Sequence, residues 1–242
     1  GDYNTAVGRL ALDACTTSGY NTAVGNQALG ATTGASNTGI GDNALVANTS
    51  GGSNVAVGAN ALDANTTASY NVGIGRNALG ANTTGTNNVA VGRTSLYNNT
   101  TGLANTAIGM ESLYSNTTAS YNTAVGWCAL NANTTASYNT AVGQDSLKSA
   151  TAGYNTAVGK GSLQANTSGE SNVAIGDNAL YTSTTGGSNV AIGRYALRYS
   201  TNASNNVAIG YSALTTNTTG ANNTAIGDGA LYSNTTANDN TA

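Results

Sequence analysis

Nine asparagines supply the most regular candidate for chemistry in this sequence. Each begins an Asn-x-Ser/Thr acceptor sequence, and all stand at the same position of a repeating pattern. Such sequences accept N-linked glycans when they lie on an exposed loop. Asn-Thr-Thr is equally good turn chemistry, because both side chains hydrogen-bond to nearby backbone, and the threonines offer O-linked attachment instead. The candidate glycosylation sites carried forward are Asn65, Asn82, Asn99, Asn116, Asn133, Asn217 and Asn234.

Groups that support catalysis are scarce. The chain has no histidine, which excludes His-activated nucleophiles and His metal ligands. Its 10 acidic residues are scattered over different repeat positions, and no Asp recurs in register as a calcium-binding β-roll requires. We therefore predict no enzyme activity, no catalytic residue, no cofactor and no metal site.

Charge and hydropathy exclude other partners. The net charge is −3, so no attraction to nucleic acid or to an anionic membrane is expected. No apolar run approaches the ~18 residues of a membrane span, so no membrane span is predicted in this segment. Cys15 and Cys128 lie seven repeats apart. We expect two incidental free thiols, with an interchain disulfide as the alternative.

An asparagine recurs along the whole chain at intervals of 17 residues, with two intervals of 16. Fourteen full repeats fill residues 1–242, which predicts a single repeat array of 14 coils. Both short repeats lose their residue in the tail, where a turn tolerates deletion. Partial repeats stand at both ends without atypical capping units, so we expect a segment of a longer fibre.

Numbered from this asparagine, the repeat begins with a strand signature. Position 2 is Thr or Val, position 4 is Val or Ile, position 5 is always Gly and position 9 is always Leu. The alternation predicts a short strand with positions 2 and 4 in the core, and Ala/Ser-Leu at positions 8 and 9 predicts a second. The fold class predicted is all-β, a parallel β-solenoid (β-roll) with one repeat per coil. Glycine at position 5 is expected to turn with positive φ, and the asparagines to form a hydrogen-bonded ladder.

Position 3 bears on the oligomeric state. It is Ala in 12 repeats and Gly in two, so something close must crowd it. If positions 2 and 4 face the core, position 3 faces outward, and we predict that it packs on neighbouring chains of a homotrimer. The alternative is a quiet surface that tolerates alanine. The predicted trimer interface comprises Ala6, Ala56, Ala90, Ala124, Ala174 and Ala208.

The repeat resembles a known family. Asn-Val-Ala-Val-Gly at 54–58 and Asn-Val-Ala-Ile-Gly at 172–176 and 206–210 resemble the head repeats of trimeric autotransporter adhesins. The fuller unit, with Ala-Leu and Asn-Thr-Thr-Gly, is similar to repeats of phage and bacterial tail-fibre-like proteins. The resemblance implies a left-handed β-roll, assembly as a homotrimer, and an extracellular location on a cell or virion surface.

The function expected is that of a structural shaft in a surface appendage, adhesin or tail fibre. Such a shaft stiffly projects a tip. Its partners would be further copies of itself, further fibre segments and surface glycans, with exposed tyrosines at position 10 and at the last position as a candidate sugar platform. The alternative is a β-solenoid whose threonine columns bind ice or another repetitive surface.

Overall fold

The computed structural model describes residues 1–242, which form two compact units, Gly1–Tyr121 and Asn122–Ala242. Each unit contains seven three-residue strands, one per repeat, and no helix. The first unit holds β1 (Thr5–Val7), β2 (Thr22–Val24), β3 (Thr38–Ile40), β4 (Val55–Val57), β5 (Val72–Ile74), β6 (Val89–Val91) and β7 (Thr106–Ile108). The second holds β8 (Thr123–Val125), β9 (Thr140–Val142), β10 (Thr156–Val158), β11 (Val173–Ile175), β12 (Val190–Ile192), β13 (Val207–Ile209) and β14 (Thr224–Ile226).

Within each unit, every strand pairs in parallel with the strand of the next repeat. The register places like residues opposite one another, as Val55 faces Val72 and Val57 faces Ile74 between β4 and β5. The same register joins β11 to β12, where Ile175 faces Ile192. The prediction of an all-β parallel solenoid with one repeat per coil is confirmed.

The second strand predicted at positions 8 and 9 does not form. Positions 7 and 9 both have positive φ, 55° at Gln27 and 53° at Leu29, so this segment winds as a turn. Hydrogen bonds to neighbouring coils continue nevertheless, since the Gln27 amide donates to the Arg9 carbonyl and the Leu29 amide to the Ala44 carbonyl. Leucine rarely adopts this conformation. Its burial, which contributes about 2 kcal/mol, offsets the strain.

Glycine at position 5 turns with positive φ, as predicted. Gly75 has φ of 127°, and a Cβ at this residue would lie 2.6 Å from the carbonyl oxygen of Gly92 in the next coil. Only glycine satisfies both the conformation and the close approach between coils. The turn that follows each strand is therefore fixed by the sequence.

The interior of each coil is narrow and is built from leucine, alanine and asparagine. Position 9 supplies the largest enclosed side chains, such as Leu62 and Leu180, which have no exposed surface. At position 1, Asn54 donates from its backbone amide and from Nδ2 to Oδ1 of Asn37, at 3.0 and 3.1 Å. Its Nδ2 also donates to the Ala68 carbonyl at 2.8 Å. The predicted asparagine ladder is thus confirmed, and it satisfies polar groups that water cannot reach.

Candidate functional site

Position 3 of each strand faces the interior, and positions 2 and 4 face outward, which reverses the sequence prediction. Ala56, Ala90, Ala124, Ala174 and Ala208 have no exposed surface. Ala6 occupies the same register beside Ala23 but is exposed, since no earlier coil covers the first strand. A side chain enclosed by its own coil cannot contact a second chain. The predicted trimer interface is therefore wrong as an assignment of residues.

The crowding inferred at position 3 exists, but it comes from the chain itself. A Cβ placed on Gly73 would lie 3.2 Å from Cγ of Leu62 and 3.2 Å from the Ala78 carbonyl oxygen. Leucine at position 9 of the preceding coil therefore fills the space beside position 3. Valine or isoleucine would not fit there, so the larger residues of each strand are left outside.

One apolar row and one mixed row of threonine and valine consequently run along the outer face of the strands in each unit. Position 4 contributes Val or Ile from each strand, and Ile74, Ile108 and Ile175 are 39%, 41% and 39% exposed. Position 2 adds Thr or Val, half-buried in most strands. No other part of the same unit lies over these side chains. We call this surface, formed by positions 2 and 4 of the strands, the outer sheet face.

The candidate glycosylation sites lie inside the solenoid. Asn65, Asn82, Asn99, Asn116, Asn133 and Asn217 have no exposed surface, and Asn234 is half-buried in the last coil. Nδ2 of Asn82 donates to Oδ1 of Asn65 and to the Gly85 carbonyl, at 2.9 and 3.0 Å. A glycan on this nitrogen would need the space that the preceding coil occupies. The sites predicted at the six fully buried asparagines are therefore incompatible with the fold, whereas the burial of Asn234 is partial. Position 12 forms a second asparagine ladder.

The threonine columns have different roles at their two positions. Thr66 at position 13 donates its hydroxyl to the Thr83 carbonyl, and Thr83 donates to the Thr100 carbonyl, at 3.2 and 3.1 Å. These hydroxyls connect coils and are already engaged. Position 14, occupied by residues such as Thr84 and Thr101, is exposed.

Tyrosines stack between neighbouring coils where they occur in succession. The ring centroids of Tyr3 and Tyr20 are 5.0 Å apart, and those of Tyr97 and Tyr114 are 5.7 Å apart. The rings are nearly parallel, at 15° and 14°. Their spacing follows from the register, because equivalent positions of adjacent coils lie one strand spacing apart.

A separate cluster combines arginine with tyrosine in the second unit. Five residues on the turns after β11 and β12 form what we call the Arg–Tyr patch: Tyr181, Arg194, Tyr195, Arg198 and Tyr199. The Arg198 guanidinium carbon lies 4.5 Å from the ring centroid of Tyr195, 5.1 Å from that of Tyr199 and 6.0 Å from that of Tyr181. Sequence reasoning missed this cluster, although the run Arg-Tyr-Ala-Leu-Arg-Tyr at 194–199 contains two of the chain's five arginines, each followed or preceded by tyrosine.

Arg194 is fixed at the edge of this patch. Its Nη2 donates to the Tyr195 hydroxyl at 2.6 Å, and its Nε lies 3.4 Å from a carboxylate oxygen of Asp177. The hydrogen bond with Tyr195 is the main reason that the pKa of Arg194 is raised above its ordinary value. Arg194 thus holds its position and its charge is compensated by Asp177.

The acidic and cysteine side chains lie apart from one another in this structure. No group of three or more acidic or cysteine side chains lies close enough together to hold a metal ion. The Cys15 thiol is half-buried and lies 3.3 Å from the Ser18 carbonyl oxygen. A helix long and apolar enough to cross a bilayer is not found in the structure.

The chain matches none of the protein-family models and none of the curated protein sequences with which it was compared.

Proposed function

We propose that this chain is a structural shaft of an extracellular fibre, without catalytic activity, in which the outer sheet face packs against further copies of the same chain. The assembly proposed is a homotrimer of left-handed coils, in keeping with the resemblance of the repeat to adhesin heads. The fibre would belong to a surface appendage, an adhesin or a phage tail fibre. Its shaft would hold a tip away from a cell or virion surface and contact glycans there.

The exposed isoleucines and valines of the outer sheet face carry this proposal. Seven strands spaced about 4.8 Å apart, each about 10 Å long, give roughly 330 Å² of flat surface in each unit. A face of this size is comparable to the largest apolar patch on a typical monomer, and such patches are often functional. The strands pair in register, so an identical face can repeat the same contacts from one coil to the next. A second copy therefore provides the best-matched cover.

Light scattering coupled to gel filtration tests the assembly. We expect a mass of three chains for the unaltered protein and a single-chain mass for the double variant Ile74→Lys/Ile108→Lys. Both side chains are exposed, so lysine is accommodated in the coil, and circular dichroism should be unchanged. The control is Thr84→Lys/Thr101→Lys, which places the same charges on exposed position 14 of the same unit and should remain trimeric. A wild-type protein that stays monomeric at high concentration would contradict the proposal.

Binding to ice or to another repetitive surface is the second candidate. The outer sheet face favours it, because threonines such as Thr123 and Thr140 form a regular row beside the valines of position 4. Thermal hysteresis in solutions of the monomeric protein would support this function. Its loss in the Ile74→Lys/Ile108→Lys variant would assign the activity to this face.

A further inference from the structure

The Arg–Tyr patch contains a cation that the fold leaves without an anion. Arg198 makes no ion pair within 4.0 Å, and its covered Nε has no hydrogen-bond partner. Arg194, by contrast, is paired with Asp177. Arg198 is only half-buried, so part of this side chain remains accessible from solvent.

The surroundings make this cation unusual for the unit. Residues 122–242 carry four cationic and five anionic side chains, a net charge of −1. Lys148 lies 2.9 Å from Asp145, whereas Lys160, like Arg198, has no ion pair within 4.0 Å. The charge at Arg198 is instead surrounded by three tyrosine rings, which attract a cation through their faces but do not neutralise it.

We propose that the Arg–Tyr patch is a binding site for a carboxylated sugar ring. A guanidinium presents a planar fork of N–H donors that matches a carboxylate in two parallel hydrogen bonds. Tyrosine offers an apolar ring face together with a polar hydroxyl. A sugar acid has the complementary features, namely a carboxylate, an apolar C–H face and a rim of hydroxyls. Tyr199, which is 45% exposed, is the ring best placed to receive that face.

The patch fits a single acidic ring better than a larger partner. Single-stranded nucleic acid requires a basic groove that follows many phosphates, and this unit carries a net negative charge. A protein partner would typically need about 800 Å² of surface on each side. The five residues of the patch lie on the turns of two adjacent coils, and the cluster extends only to Tyr211 of a third, whose ring centroid is 6.1 Å from that of Tyr195. The charge and size therefore favour one carboxylated residue of a glycan.

This inference rests on the glycan contact within the proposed function, but not on the trimer. The patch occupies positions 6, 7, 10 and 11 of the repeat, whereas the outer sheet face is formed by positions 2 and 4. Light scattering reports on the fibre assembly and ligand titration reports on the patch. A failure of the sugar-binding proposal can therefore be distinguished from a failure of the fibre-assembly proposal.

The experiment is a titration of the full chain with methyl glycosides of glucuronic acid and N-acetylneuraminic acid, followed by saturation-transfer NMR and calorimetry. Methyl glucoside, which lacks the carboxylate, is the ligand control. We expect at least one acidic glycoside to bind, and Arg198→Gln and Tyr199→Ala each to weaken that binding about tenfold or more. Arg76→Gln is the control variant, since Arg76 is an exposed cation at position 6 of the other unit. It should bind as the wild type does.

Several results would overturn the assignment. If neither acidic glycoside binds at concentrations up to about 10 mM, the proposed site is wrong. Equal binding of methyl glucoside would show that the carboxylate is not recognised, and unchanged binding by Arg198→Gln would place the ligand elsewhere. Preference for a single-stranded oligonucleotide over both acids would replace the sugar with nucleic acid. Circular dichroism of each variant ensures that lost binding reflects the patch and not the fold.

Discussion

Asn65 donates from Nδ2 to Oδ1 of Asn48, one coil earlier, at a distance of 2.9 Å. The same nitrogen donates to the Ala68 carbonyl at 3.1 Å, and Oδ1 of Asn65 accepts from Asn82 at 2.9 Å. One buried side chain thus connects three coils and one turn. Removal of a buried side chain that makes several hydrogen bonds leaves its partners without those bonds.

Replacement of Asn65 by alanine should therefore cost more than the loss of one ordinary hydrogen bond. Asn48 Oδ1 and Asn82 Nδ2 would each lose a buried bond, at about 1–3 kcal/mol for each group left unsatisfied. The Ala68 carbonyl would keep its bond from Asn54 Nδ2. Chemical denaturation followed by circular dichroism should show a matching fall in the free energy of unfolding. Thr67→Ala, at an exposed position two residues later, should change it by less than about 0.5 kcal/mol. If the free energy of unfolding fell by a similar amount in both variants, the ladder would not stabilise the fold more than an exposed side chain does.

The ladder is interrupted in the second unit, and completing it should stabilise the protein. Ser183 and Ser200 occupy position 12 there, and Oδ1 of Asn166, Oγ of Ser183 and Oγ of Ser200 are buried without a partner. The double variant Ser183→Asn/Ser200→Asn would extend the chain of amides from Asn166 to Asn217. We expect a gain of about 1 kcal/mol per substitution, measured as a higher Tm.

The exposed position 14 supplies the control for this variant. Thr185→Asn adds an amide of the same kind outside the coil and should leave Tm unchanged. A Tm for Ser183→Asn/Ser200→Asn at or below that of the wild type would mean that the interior cannot hold asparagine at these two places.

Two glycines of one repeat should respond oppositely to alanine. Gly73 lies in β5 with ordinary strand backbone, where most repeats already have alanine, so Gly73→Ala should be neutral or stabilise by up to about 1 kcal/mol. Gly75 has φ of 127° and approaches the Gly92 carbonyl, so Gly75→Ala should destabilise by about 3 kcal/mol or more. Denaturant midpoints of the two variants give the comparison. A destabilisation by Gly75→Ala well below about 3 kcal/mol would contradict the close contact between coils.

Asp63 should make stability depend on pH. Burial raises the pKa of its carboxyl above the ordinary value, against the opposing effect of the backbone amides of Asp63 and Ala64. The stability contributed by the protonated form is present below about pH 4 and is lost as the pH rises through the raised pKa. Asp63→Asn should therefore match the wild type in Tm near pH 3 and exceed it at pH 7.

A variant at the same repeat position separates burial from net charge. Asp13→Asn removes an equal charge from an exposed side chain in the first coil. If Asp13→Asn raises Tm at pH 7 as much as Asp63→Asn does, the effect arises from overall charge. A larger effect for Asp63→Asn assigns it to burial of the carboxylate.

The strand, its register and its turn could all be predicted from the repeat. Invariant glycine at position 5 carries two requirements at once, the positive φ and the close approach of the next coil, and both leave a direct mark on the sequence. Leucine at position 9 marks the core in the same way. The positive φ at positions 7 and 9 left no such mark, because position 7 varies from repeat to repeat and leucine at position 9 is not typical of this conformation.

The two faces of the strand were assigned wrongly because hydropathy and size conflict. Valine is more apolar than alanine, which favours valine inside, but a 17-residue coil with leucine at its centre has room only for a methyl group. Positions 3, 8 and 15 are small throughout, and three small columns in one short repeat were the available signal for a narrow interior. The outer sheet face follows directly once those columns are placed inside.

Position 12 illustrates a related difficulty. Asparagine followed by threonine is common on surfaces, so Asn65 and its equivalents resembled acceptor sites. Position 12 is asparagine in nine repeats and position 14 is threonine in nine, so the regularity of a column does not separate the buried position from the exposed one. The Arg–Tyr patch could not be found through periodicity at all, since it is a departure from the repeat.

The in-register pairing of identical positions has a consequence for how such a chain changes over generations. Sliding one strand by a single residue would put valine where alanine belongs, whereas removing a whole repeat rejoins surfaces that already match. Unequal recombination within the gene can therefore delete or duplicate complete coils with little structural penalty. Length becomes a heritable variable that selection can adjust independently of sequence.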